Sequence, residues 1–502
     1  MRLRAPHPNL GRLFSAQPRE RLAAIDFGAG ARAITYGELD DTADAAAHAL
    51  TDLGLKAGDR LGILSLNRIE FIEALFGAMR AGIIPVLANV RLPADKVRAL
   101  LDFSDVQLAL AETPFAASGT GETRKVLTFE EDWPALIETA RAKGPFEAIV
   151  PDGEQVSMQL FTSGSTGTPK GVMLHHPGQI WATEVLVEHR GLTADDIAIL
   201  SAPSFHKNAM VAIKTAFLVG ATLAILPKFD VEATVAAIRD HGVNILTGVP
   251  TMMAMLSQRT DLFESVNTDH VRVVSMGSAP ASDALIADIK RTFPNAEIHL
   301  NYGTTEGGPN VTGWYHPDGI PRPPGSVGWP LPDTELKFIG GPHAREGELW
   351  TRNPGVAAGY HKLPEKTAEK FVDGWYATGD VMRLDDDGWL YFVGRTDDMF
   401  VVSGENVYPQ EVETLLEAHQ DVAQAVVIPI AHNAKGMVPV AFVKPASGRT
   451  IYPAALKQYT IDNGPAYAHP RQIIVVAEMP LTGTNKVDKP ALKALLSTPE
   501  HA

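Results

Sequence analysis

Apolar and polar positions alternate along this chain in two rhythms. From about Tyr36 to Thr305, short β-branched runs are separated by longer stretches whose apolar residues recur every three or four positions, the helical period. The Ala-rich stretch 40–53 predicts a helix and 60–66 a buried strand. The stretch 70–81, with Phe71, Ala74, Leu75 and Ala78 on one stripe, predicts the next helix, and 83–87 another strand. Further strands are expected at 197–202, 221–226, 243–246, 271–276 and 298–300. Strand, helix, strand in this order implies α/β architecture with mostly parallel sheets.

Four of these strands run into loops of small residues: Ala202 into PSFH, Leu246 into TGVP, Met276 into GSAPAS and Leu300 into NYGTTEGG. Ligands of open α/β sheets bind beyond the carboxyl ends of the strands, so these loops are candidates to line one pocket. The competing reading is that Gly and Pro merely punctuate strands. After about Asn310 the texture changes. Trp, Pro and Gly become frequent, strands at 347–351 and 389–393 have turn-rich connections, and a β-rich, more antiparallel layer is expected. Asp385, Asp386, Asp387 and Gly388 form a hairpin signal, read as a solvated turn rather than a metal site. From Asp397 the pattern predicts helix 410–418, strands 423–428 and 438–443, helix 453–462 and strand 472–477. The fold expected is a large N-terminal α/β domain, 1–395, with a small, mobile α+β C-terminal domain, 396–502, hinged near 395–398.

Composition narrows the chemistry. The 502 residues carry 44 Lys plus Arg against 59 Asp plus Glu, a formal charge of −15 with no block of basic residues, which argues against nucleic acid or an anionic membrane as partner. There is no Cys, so disulfides, thiolate metal sites and a Cys nucleophile are excluded and any thiol must come from outside. The longest apolar stretch, from Ala216 to Leu226, is too short to span a bilayer. With no signal-peptide pattern at the N-terminus, a cytoplasmic protein is expected.

The densest chemical signal is FTSGSTGTPKG, 161–171, following the mostly apolar 156–161. Small residues, hydroxyls and one Lys supply unhindered amides, donors and positive charge, the combination that cradles phosphate. It is neither a Walker A loop, since Lys170 lies between Pro169 and Gly171, nor a nucleophile elbow, since the first Gly is missing before Ser165.

This loop, NYGTTE, YATGD, GRTDDMFVVSGENVYPQEVE and a late Lys486 occur in order. Together they resemble the acyl-adenylate-forming superfamily, specifically its acyl-CoA and aryl-CoA ligases, over about Tyr36 to Leu492. The resemblance implies ATP-dependent activation of a carboxylic acid to acyl-AMP, then transfer to the CoA thiol. ATP, Mg²⁺ and coenzyme A are the implied co-substrates, without a tightly bound organic cofactor. It assigns the ATP phosphates to Thr162, Ser163, Gly164, Ser165, Thr166, Gly167 and Lys170. Gly277, Ser278, Ala279 and Pro280 are assigned to the adenine wall, where the Gly would allow close backbone approach. Asn301, Tyr302 and Gly303 belong to the nucleotide site, with Tyr302 stacked on adenine. Thr305 would contact the α-phosphate, Glu306 would hold Mg²⁺, and Asp380 and Arg395 would flank the ribose. Lys486 would bridge carboxylate and α-phosphate, although Asn485 stands where the family usually has Gly. Asp397 is the implied hinge, and Ser403, Gly404 and Glu405 the CoA face.

His206, from the intact Pro-x-Phe-His, is expected near the carboxylate or gating the pantetheine path. Candidate acid-pocket residues are Phe205, His206, Ala209, Met210, Ile213, Gly248, Thr251, Met252, Ser278 and Gly303. Lys207 and Asn208 are unusual beside a fatty tunnel and suit a hydroxyl or methoxyl on a compact acid, unless Lys207 points outward. An aromatic acid, hydroxycinnamate- or benzoate-like, is favoured. A short or medium acyl chain, a carrier-protein acceptor and a non-catalytic nucleotide-binding role remain as alternatives. Monomer and homodimer both stay open.

Overall fold

Thr35 decides where the first long helix begins. Its hydroxyl accepts from the Glu38 amide at 3.2 Å while the Glu38 carboxylate accepts from the Thr35 amide at 2.8 Å, a capping box that starts the helix at Tyr36, four residues before the apolar pattern suggested. In this computed structural model, which describes residues 3–28, 32–162, 169–279, 281–341, 344–402, 405–432, 436–482 and 486–496, that helix runs Tyr36–Asp52 and packs on Ile69–Arg80. The Ala-rich face explains the closeness: a Cβ on Gly77 would lie 2.4 Å from Ala46 Cβ and 2.9 Å from the Ala43 carbonyl.

Two seven-stranded sheets form the larger part of the molecule. One has the order Glu297–Asn301, Val273–Gly277, Ile245–Gly248, Ile197–Leu200, Thr222–Ile225, Leu22–Asp26, Arg32–Thr35, parallel except for its last pair. The other has the order Gly359–Tyr360, Lys170–His175, Val156–Thr162, Ile84–Leu87, Arg60–Leu64, Val106–Ala111, Lys125–Thr128, with Lys170–His175 antiparallel to both its neighbours and the remaining pairs parallel. The Leu22–Asp26 and Arg32–Thr35 strands lie before the region where the alternation was legible. LAAID has only one β-branched residue, and pairing with Thr222–Ile225, not propensity, makes it a strand.

The main core fills the space between these layers, with Phe14, Phe76, Phe205, Met210 and Phe217 buried in it. As expected, an antiparallel layer follows: Glu335–Ile339, Glu346–Arg352, Trp375–Leu384, Phe371–Val372 and Leu390–Arg395. The acidic run 385–388 is its hairpin turn. From Phe400 a separate five-stranded sheet, with the Pro409–Glu417 and Pro453–Asn463 helices, encloses hydrophobic clusters of its own around Leu416 and Phe442. Among the described residues no helix is long and apolar enough to cross a membrane.

Candidate active site

Three strand registers build the polar centre. The hairpin of Val156–Thr162 with Lys170–His175 ends on the pair Thr162 and Lys170, and Gly359–Tyr360 adds to the other side of the second strand. Thr162 and Tyr360 thereby meet Glu306, with Lys170 over the Tyr360 ring. The buried Glu306 accepts at Oε1 from the Thr162 hydroxyl at 2.9 Å and the Tyr360 hydroxyl at 3.2 Å, while the Lys170 ammonium lies 5.1 Å from the Tyr360 ring centroid. Burial, then the Glu306 charge, holds the Tyr360 hydroxyl above its ordinary pKa.

The third register comes from the 385–388 turn, which sets Asp380 directly opposite Arg395. Asp380, buried, accepts from Arg395 at 2.8 Å on Oδ1 and from the Tyr302 hydroxyl at 2.6 Å on Oδ2. Burial raises the Asp380 pKa against the opposing pull of Arg395 and Tyr302. Burial also works against the Arg395 charge, but Asp380, Asp397 and Asp398 outweigh it. Asp397 accepts from Arg395 Nε at 2.8 Å.

These groups line one cavity of about 2030 Å³, which the four strand-end loops share as the sequence suggested: Pro203 and His206, Val249, Ser278 and Ala279, and the run Asn301–Glu306 including Thr305 all border it. Lys486, brought in from the C-terminal sheet region, also lines it and is open to solvent there. The surrounding protein, then Arg395, lowers its pKa, with Asp380 opposing. His206 is brought down to about 4, chiefly by burial and then by Lys486, Arg91 and Lys207, so it is neutral at pH 7. Asn301 donates to Ser275 at 3.0 Å.

Several expectations need correction. Phe205, Ala209, Met210 and Ile213 do not line the cavity; they pack in the main core. The Lys207–Val219 helix is buried from Ala209 onward, and only the half-buried Lys207 and Asn208 reach the cavity wall. Gly248 and Thr251 also lie off the wall, whereas Met252, Ser278 and Gly303 are on it. At the GSAP loop Gly277 does lie close to backbone, since a Cβ there would be 3.2 Å from the Asn301 carbonyl, and Ser278, with φ 70°, takes the left-handed conformation. Gly303 is held closer still, because a Cβ there would lie 2.6 Å from the Pro309 carbonyl. Lys207 does not point outward: its ammonium donates to the Gly303 carbonyl and to the Pro309 carbonyl at 3.1 Å. Ser163, Gly164, Ser165, Thr166, Gly167, Pro280, Ser403 and Gly404 fall outside the described residues. Glu405 is exposed in the Glu405–Val407 strand and away from the cavity. Tyr360 was not legible in the sequence, since GYHK belongs to none of the motifs and strand pairing brings it in.

The chain matches the AMP-binding enzyme family over residues 13–361 and its C-terminal domain over 411–486. It belongs to the AMP-binding enzyme family. Among curated relatives, it is 31% identical to 2-succinylbenzoate–CoA ligase of Geobacillus kaustophilus over 96% of both chains. It is 32% identical to feruloyl-CoA synthase of an Amycolatopsis species, covering 92% of this chain and 93% of that one. Among solved structures, O-succinylbenzoate coenzyme A synthetase of Bacillus subtilis, in complex with ATP and a magnesium ion, superimposes with a TM-score of 0.81 at 25% identity, over 97% of this chain and 99% of the other. An AMP-binding enzyme accounts for the Lys170, Arg395 and Lys486 cations and the Thr162 hydroxyl on the cavity wall of a chain of net charge −15: the polyanion is met by local donors.

Proposed function

We propose that this AMP-binding enzyme is an acid:CoA ligase, joining a carboxylic acid to ATP to give acyl-AMP and pyrophosphate, then passing the acyl group to the CoA thiol with release of AMP. The observation that carries this reading is the convergence on one cavity of Lys170, Glu306, Asp380, Arg395 and Lys486, drawn from separate parts of the chain. Relatives named as CoA ligases along nearly the whole length support it.

In this reading Thr162 and Lys170 hold the β- and γ-phosphates, Thr305 the α-phosphate and Tyr302 the adenine. Asp380 exchanges its Tyr302 and Arg395 hydrogen bonds for ribose hydroxyls, since an ionised carboxylate offers acceptors and no donor. Glu306 fits Mg²⁺, since its buried carboxylate is joined by the Thr162 hydroxyl and both are hard oxygen donors. No group of three or more His, Asp or Glu side chains gathers among the described residues to hold a metal, so the cation's remaining ligands would be phosphate and water. When bound, it would neutralise charge on the phosphates. Lys486 bridges carboxylate and α-phosphate, a contact made as charge moves and therefore one that lowers the barrier. Neutral His206 stands beside the acid as a donor or acceptor without adding charge.

The second half-reaction needs the thiol where Lys486 now sits. A division at 395/396, with Asp397 as the hinge, would let the C-terminal unit turn and bring the face around Ser403, Gly404 and Glu405 to the acyl carbon. With no Cys in the chain, the sulfur is CoA's and no acyl-Cys intermediate forms. We assign a compact aromatic acid, hydroxycinnamate- or benzoate-like, because the wall mixes Met252 and Met276 with Lys207, Asn208 and Ser278. Net charge and composition favour a cytoplasmic enzyme. Mass spectrometry of products formed from ATP, an aromatic acid and free CoA tests the proposal: acyl-CoA and AMP are expected. Acyl-AMP accumulating without acyl-CoA would redirect it to a carrier-protein acceptor, and no acid-dependent exchange of labelled pyrophosphate into ATP would remove it.

A further inference from the structure

The geometry points to the Lys207 ammonium as a carboxylate-binding group of the acid subsite, an assignment that rests on the acid-activating reading above. Lys207 opens the Lys207–Val219 helix, and its Nζ turns back into the cavity wall to donate to the carbonyls of Gly303 and Pro309. An ammonium has three protons and a full charge. Two carbonyls engage two protons, but they offer only partial negative charge. Among the described residues no carboxylate lies within ion-pair distance of it, although Glu306, Thr162 and Lys170, the phosphate side of the cavity, have hydrogen-bond or ring partners of their own.

A half-buried cation without a counter-charge is unfavourable, and the molecule shows that cost: loss of water around the ammonium, then the nearby Lys486, brings the Lys207 pKa down to about 7, with Glu306 and Asp380 only partly restoring it. A hydroxyl on the ligand would satisfy the third proton and leave the charge. A carboxylate satisfies both. The neighbouring wall, Asn208, Met252 and Ser278, suits a flat apolar body with polar edges. Two sources of carboxylate fit: the reacting group that every acid substrate carries, held until ATP takes it, or a second carboxylate on a diacid.

The test compares the full chain with Lys207→Met and Lys207→Arg in acid-dependent exchange of labelled pyrophosphate into ATP, using benzoate, 4-coumarate and 2-succinylbenzoate. Lys207→Met is expected to raise the acid KM by about ten- to hundredfold, the loss of one charged hydrogen bond, while the KM for ATP stays within about threefold. A rise for every acid assigns Lys207 to the reacting carboxylate, and a rise for 2-succinylbenzoate alone assigns it to a second one. Lys207→Arg should recover part of the loss. The pH profile separates ligand binding from a structural role. The charged groups facing Lys207 are Lys486, Glu306 and Asp380, with His206 adjacent and neutral. In the parent enzyme the acid KM should climb as pH passes about 7 and Lys207 gives up its proton, and in Lys207→Met that climb should vanish. An acid KM within twofold of the parent for all three acids overturns the assignment. A parent enzyme that exchanges pyrophosphate with none of them fails the acid-activating reading itself and this assignment with it.

Discussion

Replacing Tyr302 with Phe removes one hydroxyl and no carbon, so it isolates the 2.6 Å hydrogen bond to Asp380. The acceptor is a buried carboxylate also bonded to Arg395 at 2.8 Å, and a hydrogen bond to a charged group is worth about 1.5–3 kcal/mol net. At roughly 2 cal/mol/K per residue of unfolding entropy, 502 residues unfolding together would lose about 1–3 °C in Tm. The pH dependence has a definite sign. Asp380 already has a folded-state pKa above its ordinary value, so its contribution is present below the unfolded pKa and is lost as pH rises through the folded one. Removing the Tyr302 donor raises the folded pKa further. The mutational penalty should therefore shrink as pH falls and Asp380 takes up its proton, and grow as pH rises and the carboxylate ionises. The assay is thermal unfolding of both proteins across a range of pH, with pyrophosphate exchange at varied ATP. Because Phe keeps the ring proposed to stack on adenine, the KM for ATP should change by less than about threefold. A Tm loss that is equal at all pH values, or absent at neutral pH, would refute the linkage to Asp380. A tenfold rise in the KM for ATP would mean that the hydroxyl serves the nucleotide rather than the carboxylate.

Lys486→Ala should suppress acyl-AMP formation by about 10²–10³, the usual cost of one transition-state donor, while conversion of supplied acyl-AMP to acyl-CoA stays within a few-fold; equal loss of both half-reactions, measured separately, contradicts its role. Glu306→Gln keeps an oxygen to accept from Thr162 and Tyr360, so the fold should persist by circular dichroism. Pyrophosphate exchange should nevertheless drop about a hundredfold and recover partly at raised Mg²⁺, and a near-parental rate at low Mg²⁺ would discount Glu306 as a cation ligand. Gly77→Ala sets a methyl against Ala46 and the Ala43 carbonyl and should cost about 1–3 kcal/mol of stability without changing kcat per folded molecule; an unchanged unfolding midpoint would show that the two helices separate freely.

The order of motifs, the strand–helix alternation and the missing Cys were enough to identify the fold class and a small C-terminal domain, and to name Thr162, Lys170, Glu306, Asp380, Arg395 and Lys486, which the structure gathers around one cavity. Those signals are local: periodicity, small residues at strand ends and a hairpin turn whose register pairs Asp380 with Arg395. What the sequence could not decide is which side of an element faces inward when every side is apolar. The Lys207–Val219 helix is such a case, and packing between the sheets took Ala209, Met210 and Ile213 for the core while leaving Lys207 at the cavity. Tyr360 is another case, since it reaches Glu306 only because Gly359–Tyr360 pairs with Lys170–His175, a contact across nearly two hundred residues of chain. Thr35 and Glu38 lay in plain view as a capping box, yet the Ala-rich run that follows is a stronger periodic signal than its own start. Chemistry that resides in residue type and spacing is written along the chain, while chemistry that depends on which neighbours withdraw water from a group, as at Lys207 and Asp380, exists only once the layers have closed around it.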